Sequence, residues 1–315
     1  MTSPKMLASE SMNISSFNEY LSQLKLEAMA LGIDKTTIKT AFSKIKRFKQ
    51  LDSPIPEVSS PKSLETHFPN TVTTVNIITA RAFFKDHKEE LQTLGEKYGI
   101  QPRFIVALWG IKSNYGAYLI NYPVLSVTAS LAFENQDSSY RNEVFAALEI
   151  LAQGRIAFDD LRGSRTGNMG LIQFTPSMFL DYAQDGNGDG KKDIWNNSLD
   201  AIASIAAFIE HTGWKDQETW GRQVRVPKSF DTELASLSVR KTFSQWSSLG
   251  LTRFDGSTLP KRDDMLVSLI MPDGPSGRQY LIYDNYRSLL AWDPFDYFAL
   301  SVTYLSEKLK YPPIK

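Results

Sequence analysis

The chain has 315 residues, 42% of them hydrophobic and 22% charged, so it can bury a core of ordinary size, and disorder along its whole length is excluded. Basic and acidic residues number 35 each, and this zero net charge gives no general attraction to a nucleic acid, so we expect no nucleic-acid partner. The absence of cysteine excludes disulfides, thiolate metal sites and cysteine nucleophiles.

Helical spacing dominates the first part of the chain. Ser16 and Glu19 form a predicted capping box at the start of a first helix that ends at Gly32, and Asp34 caps a second helix. Prolines in residues 52–75 then predict an extended connector. Basic residues lie on and around the second helix, where we expect a solvated face, with contact to an anionic polymer as the alternative: Lys44, Lys46, Arg47 and Lys49.

The central part of the chain is also helical in pattern. A long helix is predicted from Ile77 to Tyr98, and Pro102 begins another whose continuous apolar run indicates a buried helix. After Trp214, short β-prone runs are separated by turn residues. The remaining predicted elements are helices over 124–134, 138–153, 175–183, 198–211, 231–248 and 295–309, and strands in QVRVP, MLVSLIMP and RQYLIYD.

These elements predict a mainly α fold that is α+β overall. We divide the chain into a helical region with its connector (residues 1–75), a central helical core (76–215) and a smaller C-terminal α+β part (216–315). No segment is apolar over the roughly 20 residues that a membrane-spanning helix requires, so no transmembrane segment is expected in this chain.

Two glycine-containing segments could line a ligand cleft. The segment GIKSNYG at 110–116 follows a buried helix, although Lys112 is also a residue type that a helix C-terminus favours. The segment GSRTGNMGLIQFTPS at 163–177 combines three glycines with Ser164 and Gln173, which can hydrogen-bond neutral hydroxyl or amide groups. The glycine spacing does not match a phosphate-binding loop.

A third segment, DGNGDGKKDIW at 185–195, begins like an EF-hand loop. Oxygen ligands at alternate positions suit a hard cation, here Ca²⁺, and the alternative is a turn rich in Asp and Asn that needs no metal. Because Asn196 stands where a sensor loop has its bidentate glutamate, we expect Asp200 to close the site. The expected ligands are Asp185, Asn187, Asp189, the carbonyl of Lys191, Asp193 and Asp200.

In this order the three segments resemble the lytic murein transglycosylases of the membrane-bound B type, bacterial proteins that cleave peptidoglycan. The resemblance runs from about residue 75 to residue 310 and also includes DAIASIAAFIEHTGW and YDNYRSLL. It implies a lysozyme-like helical core, an EF-hand-like loop at 185–200, and a cleft for strands of alternating N-acetylglucosamine and N-acetylmuramic acid. It also implies a periplasmic or cell-envelope location.

The resemblance assigns catalysis to one glutamate, which protonates the glycosidic oxygen and then helps to close a 1,6-anhydro ring on the muramic acid. At that position this chain has Lys112. An ammonium group, with a reference pKa of about 10.4 against about 4.3 for a glutamic acid, is a far weaker acid, and its charge opposes an oxocarbenium-like transition state. We therefore predict that Lys112 is not catalytic.

Other positions also depart from the family pattern. Asn168 stands in a segment that usually reads Gly-Ala-Met-Gly, and the stretch from Trp292 to Phe298 replaces a Tyr-Asn-x-Ser-x-x-Tyr pattern. Several changes favour a naturally altered site over a single substitution. The residues expected to line the glycan cleft are Ser113, Asn114, Tyr115, Ser164, Met169, Gln173, Phe174, Trp292 and Asp293.

Three functions fit these observations. The favoured one is a pseudoenzyme that binds peptidoglycan glycan strands without cleaving them, with envelope proteins as further partners. The second is an active lytic transglycosylase that releases 1,6-anhydromuropeptides. The third is a protein-interaction module of an envelope assembly, in which Trp292, Phe295 and Phe298 form an apolar contact patch.

Overall fold

The computed structural model describes residues 16–49, 63–118 and 121–310, and these residues are mostly helical. Their α-helices are α1 (Phe17–Ala30), α2 (Lys35–Lys44), α3 (Leu64–Thr71), α4 (Thr74–Asp86), α5 (Lys88–Tyr98), α6 (Pro102–Ser113), α7 (Val124–Asn135), α8 (Ser138–Ala152), α9 (Pro176–Tyr182), α10 (Ser198–His211), α11 (Phe243–Ser248), α12 (Asp284–Trp292) and α13 (Asp296–Lys310). Their strands are β1 (Tyr122–Pro123), β2 (Arg162–Gly163), β3 (Gly221–Arg225), β4 (Thr252–Arg253), β5 (Ser268–Ile270) and β6 (Gln279–Ile282). The predicted fold class, mainly α and α+β overall, is confirmed.

The chain forms two compact units, each built from two separate segments. As far as they are described, the first unit comprises Met1–Ile55 with Leu119–Asp181, and the second comprises Pro56–Tyr118 with Tyr182–Lys315. The division into residues 1–75, 76–215 and 216–315 stays a prediction. No helix among the described residues has both the length and the apolar character needed to cross a membrane.

Local capping explains the first two helices of the first unit. Ser16 and Glu19 form the predicted capping box of α1, and Gly32 follows the helix with a φ of 85°. The Asp34 side chain accepts a hydrogen bond from the Thr37 backbone N–H at 2.9 Å and so caps α2. Both predicted helices are confirmed, since their ends depend on residues next to one another in sequence.

Helix α7 anchors the segment that follows α2. Ser126 and Ser130 are buried on α7, and their hydroxyls accept hydrogen bonds from the backbone N–H groups of Lys46 (3.2 Å) and Phe48 (2.8 Å). These contacts hold residues 45–48 against the helix without any secondary structure of their own. The two serines thus satisfy backbone groups that would otherwise be left unpaired near the core.

Helix α6 lies at the centre of the second unit. Its residues from Phe104 to Gly110 are all buried, and it packs against α4, α5, α10 and α13. The predicted buried helix is therefore confirmed, and so is Pro102 at its first turn. Gly99, with a φ of 64°, ends the preceding helix α5 as expected.

The second unit also contains an antiparallel sheet with the strand order β4-β3-β6-β5. Gly221 pairs with Ile282 and Val224 with Gln279, which fixes the register of β3 on β6. Side chains from the sheet, α11 and neighbouring loops form a small core around Trp246, whose indole N–H donates to the Val267 carbonyl at 3.0 Å. This core confirms the predicted C-terminal α+β part.

Three predicted elements were wrong in extent. The long helix over 77–98 is interrupted at His87, whose φ and ψ of −119° and 35° end α4 and precede α5. Residues 64–71 form α3 although an extended connector was predicted; residues 52–62 of that connector lie outside the described part. The helix predicted over 231–248 is reduced to a short 3₁₀ turn at Thr232–Leu234 and to α11.

Tertiary contacts explain the differences at α3 and at the unpredicted helix α12. The Leu64 N–H donates to Asp273 at 2.8 Å, and Phe68 is buried, so α3 forms despite Pro69 in its interior. Asn285 of α12 is buried; its side chain accepts from the Lys215 N–H at 2.7 Å and donates to that residue's carbonyl at 2.8 Å. Such long-range contacts are not visible in local spacing.

Candidate functional site

Lys112 lies in the last turn of α6, where its ammonium group pairs with Asp293. The Nζ atom is 3.6 Å from Asp293 Oδ2, and the two side chains are 21% and 24% exposed. The same Nζ lies 5.7 Å from the ring centroid of Phe298, within range of a cation–π interaction. The helix C-terminus adds a favourable field for the cation. Lys112 is thus held by a carboxylate, a ring and a helix dipole.

Asp293 ends α12, and one of its carboxylate oxygens has no partner. Its backbone N–H donates to the Leu289 carbonyl at 3.3 Å. Oδ1 is buried and has no hydrogen-bond partner among the described residues. Beside it, Trp292 packs edge-on against Phe208 with ring centroids 4.9 Å apart. The end of α12 therefore presents a partly buried carboxylate whose one direct ionic neighbour in the described chain is Lys112.

The turn after α6 holds two consecutive non-glycine residues in the left-handed region. Asn114 has a φ of 50° and Tyr115 a φ of 58°. Asn tolerates this conformation, whereas an aromatic residue there is strained and must be held by its surroundings. The Tyr115 hydroxyl donates to the Asn76 carbonyl at 2.8 Å, and its ring lies 5.5 Å from that of Trp109. Burial of this side chain raises the pKa of the Tyr115 hydroxyl.

Of the three residues predicted to bind glycan in this turn, only Asn114 is exposed. Ser113 is completely buried; its hydroxyl donates to the Trp109 carbonyl at 3.1 Å and accepts from the Gly116 N–H at 3.0 Å. Ser113 and Tyr115 therefore shape the turn from within. Their contact with a glycan stays a prediction.

The segment 163–177 folds into a compact loop in the first unit. The Ser164 hydroxyl accepts from the N–H groups of Thr166 and Asn168, both at 3.2 Å. Met169 and Phe174 exchange two backbone hydrogen bonds, of 2.6 and 3.0 Å. The intervening chain reverses direction through residues with positive φ, among them Gln173 at 57°. The loop is thus organised by its own backbone and by one serine.

The four residues of this loop that were predicted to line the cleft differ in how far their side chains are buried. The side chains of Met169 and Phe174 are completely buried, and Gln173 is 8% exposed with its amide donating to the Gly170 carbonyl at 3.1 Å. Ser164 is half-buried. Met169 and Phe174 therefore pack in the interior, and the side chain of Ser164 is the most exposed of the four.

The carboxylates of the EF-hand-like loop bind the loop's own backbone. Asp185 accepts hydrogen bonds from the N–H groups of Gly188 (2.6 Å) and Gly190 (2.7 Å), which lower the pKa of its carboxyl. Asp189 accepts from the Lys191 N–H at 2.8 Å, and Asp193 from the Trp195 N–H at 3.0 Å. These contacts are those of an Asp-rich turn, and they leave further lone pairs for a cation.

Asp200 anchors this loop to helix α10. Its side chain is completely buried; Oδ1 accepts from the Gly186 N–H at 2.9 Å, and Oδ2 from the Asp193 N–H at 2.7 Å. Burial raises the pKa of the Asp200 carboxyl despite these hydrogen bonds. Within the ranges that the structure describes, no three or more His, Asp or Glu side chains are grouped as metal ligands. A ligand role for Asp200 stays a prediction.

The pairing of Lys112 with Asp293 could not be derived from the sequence. Both residues were singled out, one as the replaced acid and the other as a glycan-lining residue, but no spacing rule relates residues on α6 and at the end of α12. Phe298, the aromatic neighbour of Lys112, had been singled out only as part of an apolar contact patch and of a stretch that departs from the family pattern, not as a neighbour of Lys112. The fold alone brings these three residues together.

Comparison with known proteins gives one family match and several similar structures. The family described as "Transglycosylase SLT domain" matches residues 16–307. Membrane-bound lytic murein transglycosylase B of Escherichia coli (strain K12) is 28% identical over 247 residues, which cover 75% of this chain and 64% of that protein. The match therefore spans less than two thirds of the relative's length.

Among solved structures, SltB3 from Pseudomonas aeruginosa in complex with NAG-NAM-pentapeptide is similar with a TM-score of 0.87 and 31% identity, covering 95% of this chain and 80% of that one. Its complex with NAG-anhNAM-pentapeptide gives a TM-score of 0.86 at 31% identity, covering 94% and 80%. The lytic transglycosylase Slt35 of Escherichia coli in complex with calcium has a TM-score of 0.79 at 21% identity, covering 92% of each chain, and is similar in fold.

Proposed function

Because this chain belongs to the family described as the transglycosylase SLT domain, we propose that it binds the glycan strands of peptidoglycan without cleaving them. Membership in the lytic transglycosylases was predicted from the sequence, as was the lysozyme-like helical core with its EF-hand-like loop, and both are confirmed. The SltB3 complexes with NAG-NAM-pentapeptide and NAG-anhNAM-pentapeptide support a glycan ligand. A periplasmic or cell-envelope location follows, since peptidoglycan lies there, and envelope proteins are the expected partners.

The ion pair between Lys112 and Asp293 carries the proposal that the chain does not cleave its ligand. The resemblance assigns the acid and base role to position 112, and the reaction needs a neutral carboxylic acid there. A lysine ammonium 3.6 Å from a carboxylate offers neither a suitable acid nor a free base. The cation would also oppose positive charge that develops on the sugar in the transition state. The other contacts of the cleft with the glycan do not need an acid at position 112, so binding can persist without cleavage.

A second candidate, an active lytic transglycosylase, is favoured by one observation at Asp293. The buried oxygen Oδ1 of this residue has no hydrogen-bond partner among the described residues, so a carboxyl group beside position 112 is available for proton transfer. The interaction-module alternative has less support. Phe295 is 69% exposed, but Trp292 packs on Phe208 and Phe298 lies beneath Lys112, so the three rings form no common exposed face.

Sedimentation with purified sacculi tests the proposed function. We expect the protein to sediment with sacculi, to be released by soluble NAG-NAM oligosaccharides, and to leave no soluble 1,6-anhydromuropeptides detectable by mass spectrometry. Absence of sedimentation would contradict glycan binding. Release of anhydro products would instead establish the second candidate.

The proposal includes a Ca²⁺ ion in the loop at 185–200. Asp185, Asn187, Asp189 and Asp193 supply the carboxylate and amide oxygens that hard cations prefer, at alternate positions of one loop. Asp200 fits less well as a ligand, because its side chain is completely buried in addition to accepting backbone hydrogen bonds on both oxygens. When bound, the ion would neutralise the acidic loop and hold it against α10.

Chelation tests this part of the proposal. At calcium one hundredfold above its Kd, we expect EGTA to lower the Tm by about 5 °C, because a ligand bound only by the folded state stabilises that state. The Asp189→Asn variant should lose this response. Asp255→Asn, which alters an exposed Asp turn outside the loop (Asp255 accepts from the Ser257 N–H at 2.9 Å), should keep it. If EGTA leaves the Tm of the unmodified protein unchanged, the loop is a turn that needs no metal.

A further inference from the structure

A cavity of about 390 Å³ in the first unit is lined by an excess of basic side chains. It lies among the end of α2, the segment after it, and residues around β1 and β2. Among the described residues, four cations line it against a single carboxylate, that of Asp159: Lys44, Lys46, Arg47 and Arg162. Since the whole chain has no net charge, this local concentration of one sign indicates an anion-binding surface.

Three of the cations are engaged with neighbouring groups and give the cavity a defined shape. Lys44 Nζ lies 2.8 Å from Asp159 Oδ2, and Arg162 Nε donates to the Asp159 carbonyl at 2.7 Å. Arg47 is paired with Glu134 at 3.1 Å. A basic cluster held in place in this way loses little conformational entropy when it binds an anion.

Lys46 has a different environment from the other three cations. Its backbone N–H donates to Ser126 at 3.2 Å, which fixes its Cα, while its side chain is exposed and has no acidic partner among the described residues. Lys46 can therefore turn its ammonium group toward a ligand without first breaking an ion pair. An anion bound there would also relieve the repulsion between Lys46 and the neighbouring cations.

The floor of the cavity is apolar. Phe48, Pro123 and Phe158 line it; Phe48 packs edge-on against Tyr122 with centroids 5.1 Å apart, and Phe158 lies 4.9 Å below Lys44 Nζ. An inorganic anion would leave this surface unused. A carboxylate carried on an aliphatic amino-acid chain would use both the basic rim and the apolar floor.

We propose that this cavity binds a carboxylate of the peptides attached to peptidoglycan glycan strands. The inference rests on the proposed function and extends it from the glycan to its peptide. Arg162 belongs to β2, which continues directly into the loop at 163–177 that the resemblance assigns to the glycan. The rim and the loop thus belong to one continuous stretch of the first unit, and muramic acid is the sugar that carries the peptide.

Binding to soluble glycan strands that keep their peptides and to the same strands stripped of peptides by an amidase tests this inference. The unmodified protein should bind the stripped strands roughly three- to tenfold more weakly, the range expected for losing one charged contact. The Lys46→Gln variant should bind the peptide-bearing strands as weakly as the unmodified protein binds stripped ones, with no further loss on stripping. Only an exposed side chain changes, so its Tm should equal that of the unmodified protein.

Lys39→Gln is the matched control, because Lys39 is exposed on α2, loses the same charge and does not line the cavity. This variant should behave like the unmodified protein. Equal binding of both kinds of glycan strand by the unmodified protein would overturn the inference while leaving glycan binding intact. Failure to bind either kind would count against the proposed function itself. Displacement by inorganic phosphate but not by a short acidic peptide would overturn the assignment to a carboxylate.

Discussion

Lys112→Glu is expected to release soluble 1,6-anhydromuropeptides from sacculi, at a rate about 10²- to 10⁴-fold above that of Lys112→Gln, the range typical of a positioned general acid. The substitution replaces the ion pair with Asp293 by two neighbouring carboxyl groups. Like charges at this distance raise the pKa of one of the pair, so a protonated acid becomes available near neutral pH. Mass spectrometry of the soluble products measures the effect.

The pH dependence of this variant has a definite sign. Because the acid works in its protonated form and its pKa is raised, activity should be present below that pKa and be lost as the pH rises through it. Lys112→Glu combined with Asp293→Asn removes the second carboxylate and should shift this loss to lower pH. If Lys112→Glu binds sacculi but releases no product, other departures from the family pattern, such as Asn168, also prevent catalysis.

The unmodified protein and Lys112→Gln serve as controls for this experiment. Both should bind sacculi, and any anhydro product should form at least about 10²-fold more slowly than with Lys112→Glu. Lys112→Glu should cost about 1–2 kcal/mol of stability near neutral pH, because a partly buried attraction becomes a repulsion. Denaturant unfolding of all three proteins separates loss of fold from loss of activity. Release of 1,6-anhydromuropeptides by the unmodified protein would show that Lys112 does not prevent catalysis.

Gly186→Ala is expected to reduce the free energy of unfolding by at least about 2 kcal/mol, because the protein has no room for a methyl group at this position. Gly186 lies where the EF-hand-like loop meets α10. An added Cβ would be only 2.6 Å from the Leu199 carbonyl carbon and 3.0 Å from the Ala203 Cβ. The obstacle is mainly backbone, which cannot rotate away as a side chain would. Urea unfolding measures the loss.

Gly188→Ala is the control for that substitution. Gly188 lies in the same loop with a φ of 79°, and an added Cβ would meet nothing within 4 Å. This variant carries only the backbone strain of a non-glycine residue at positive φ, about 1 kcal/mol. If Gly186→Ala costs no more than Gly188→Ala, close approach of the loop to α10 is not what requires glycine at position 186.

Elements with local signals could be predicted from the sequence. The capping box at Ser16, the cap at Asp34 and the proline at the start of α6 depend on neighbouring residues, and all three are present in the structure. Helix α3 depends on contacts elsewhere in the fold, and no local sequence signal marked the break at His87. Pro69 in particular argued against a helix, and the burial of Phe68 outweighed it.

The candidate site shows the same difference between features with local sequence signals and features that depend on long-range contacts. Motif spacing identified Lys112, the loop at 163–177 and the loop at 185–200 as places where ligands could bind. It did not reveal that Met169 and Phe174 are buried, nor that Asp293 lies beside Lys112. Resemblance to a family supplies the positions of residues along the chain, whereas exposure and pairing depend on side chains that meet only after folding.

The order of segments along the chain has a consequence for how the protein is made. The first unit is interrupted by residues 56–118 and can close once Asp181 has been synthesised, whereas the second unit needs both those residues and the last helix. Helix α6, apolar on nearly every side, packs against α13, which begins only at Asp296. During synthesis the face of α6 that packs on α13 therefore stays uncovered until α13 has emerged, so a chaperone that shields this face in that interval should raise the yield of folded protein.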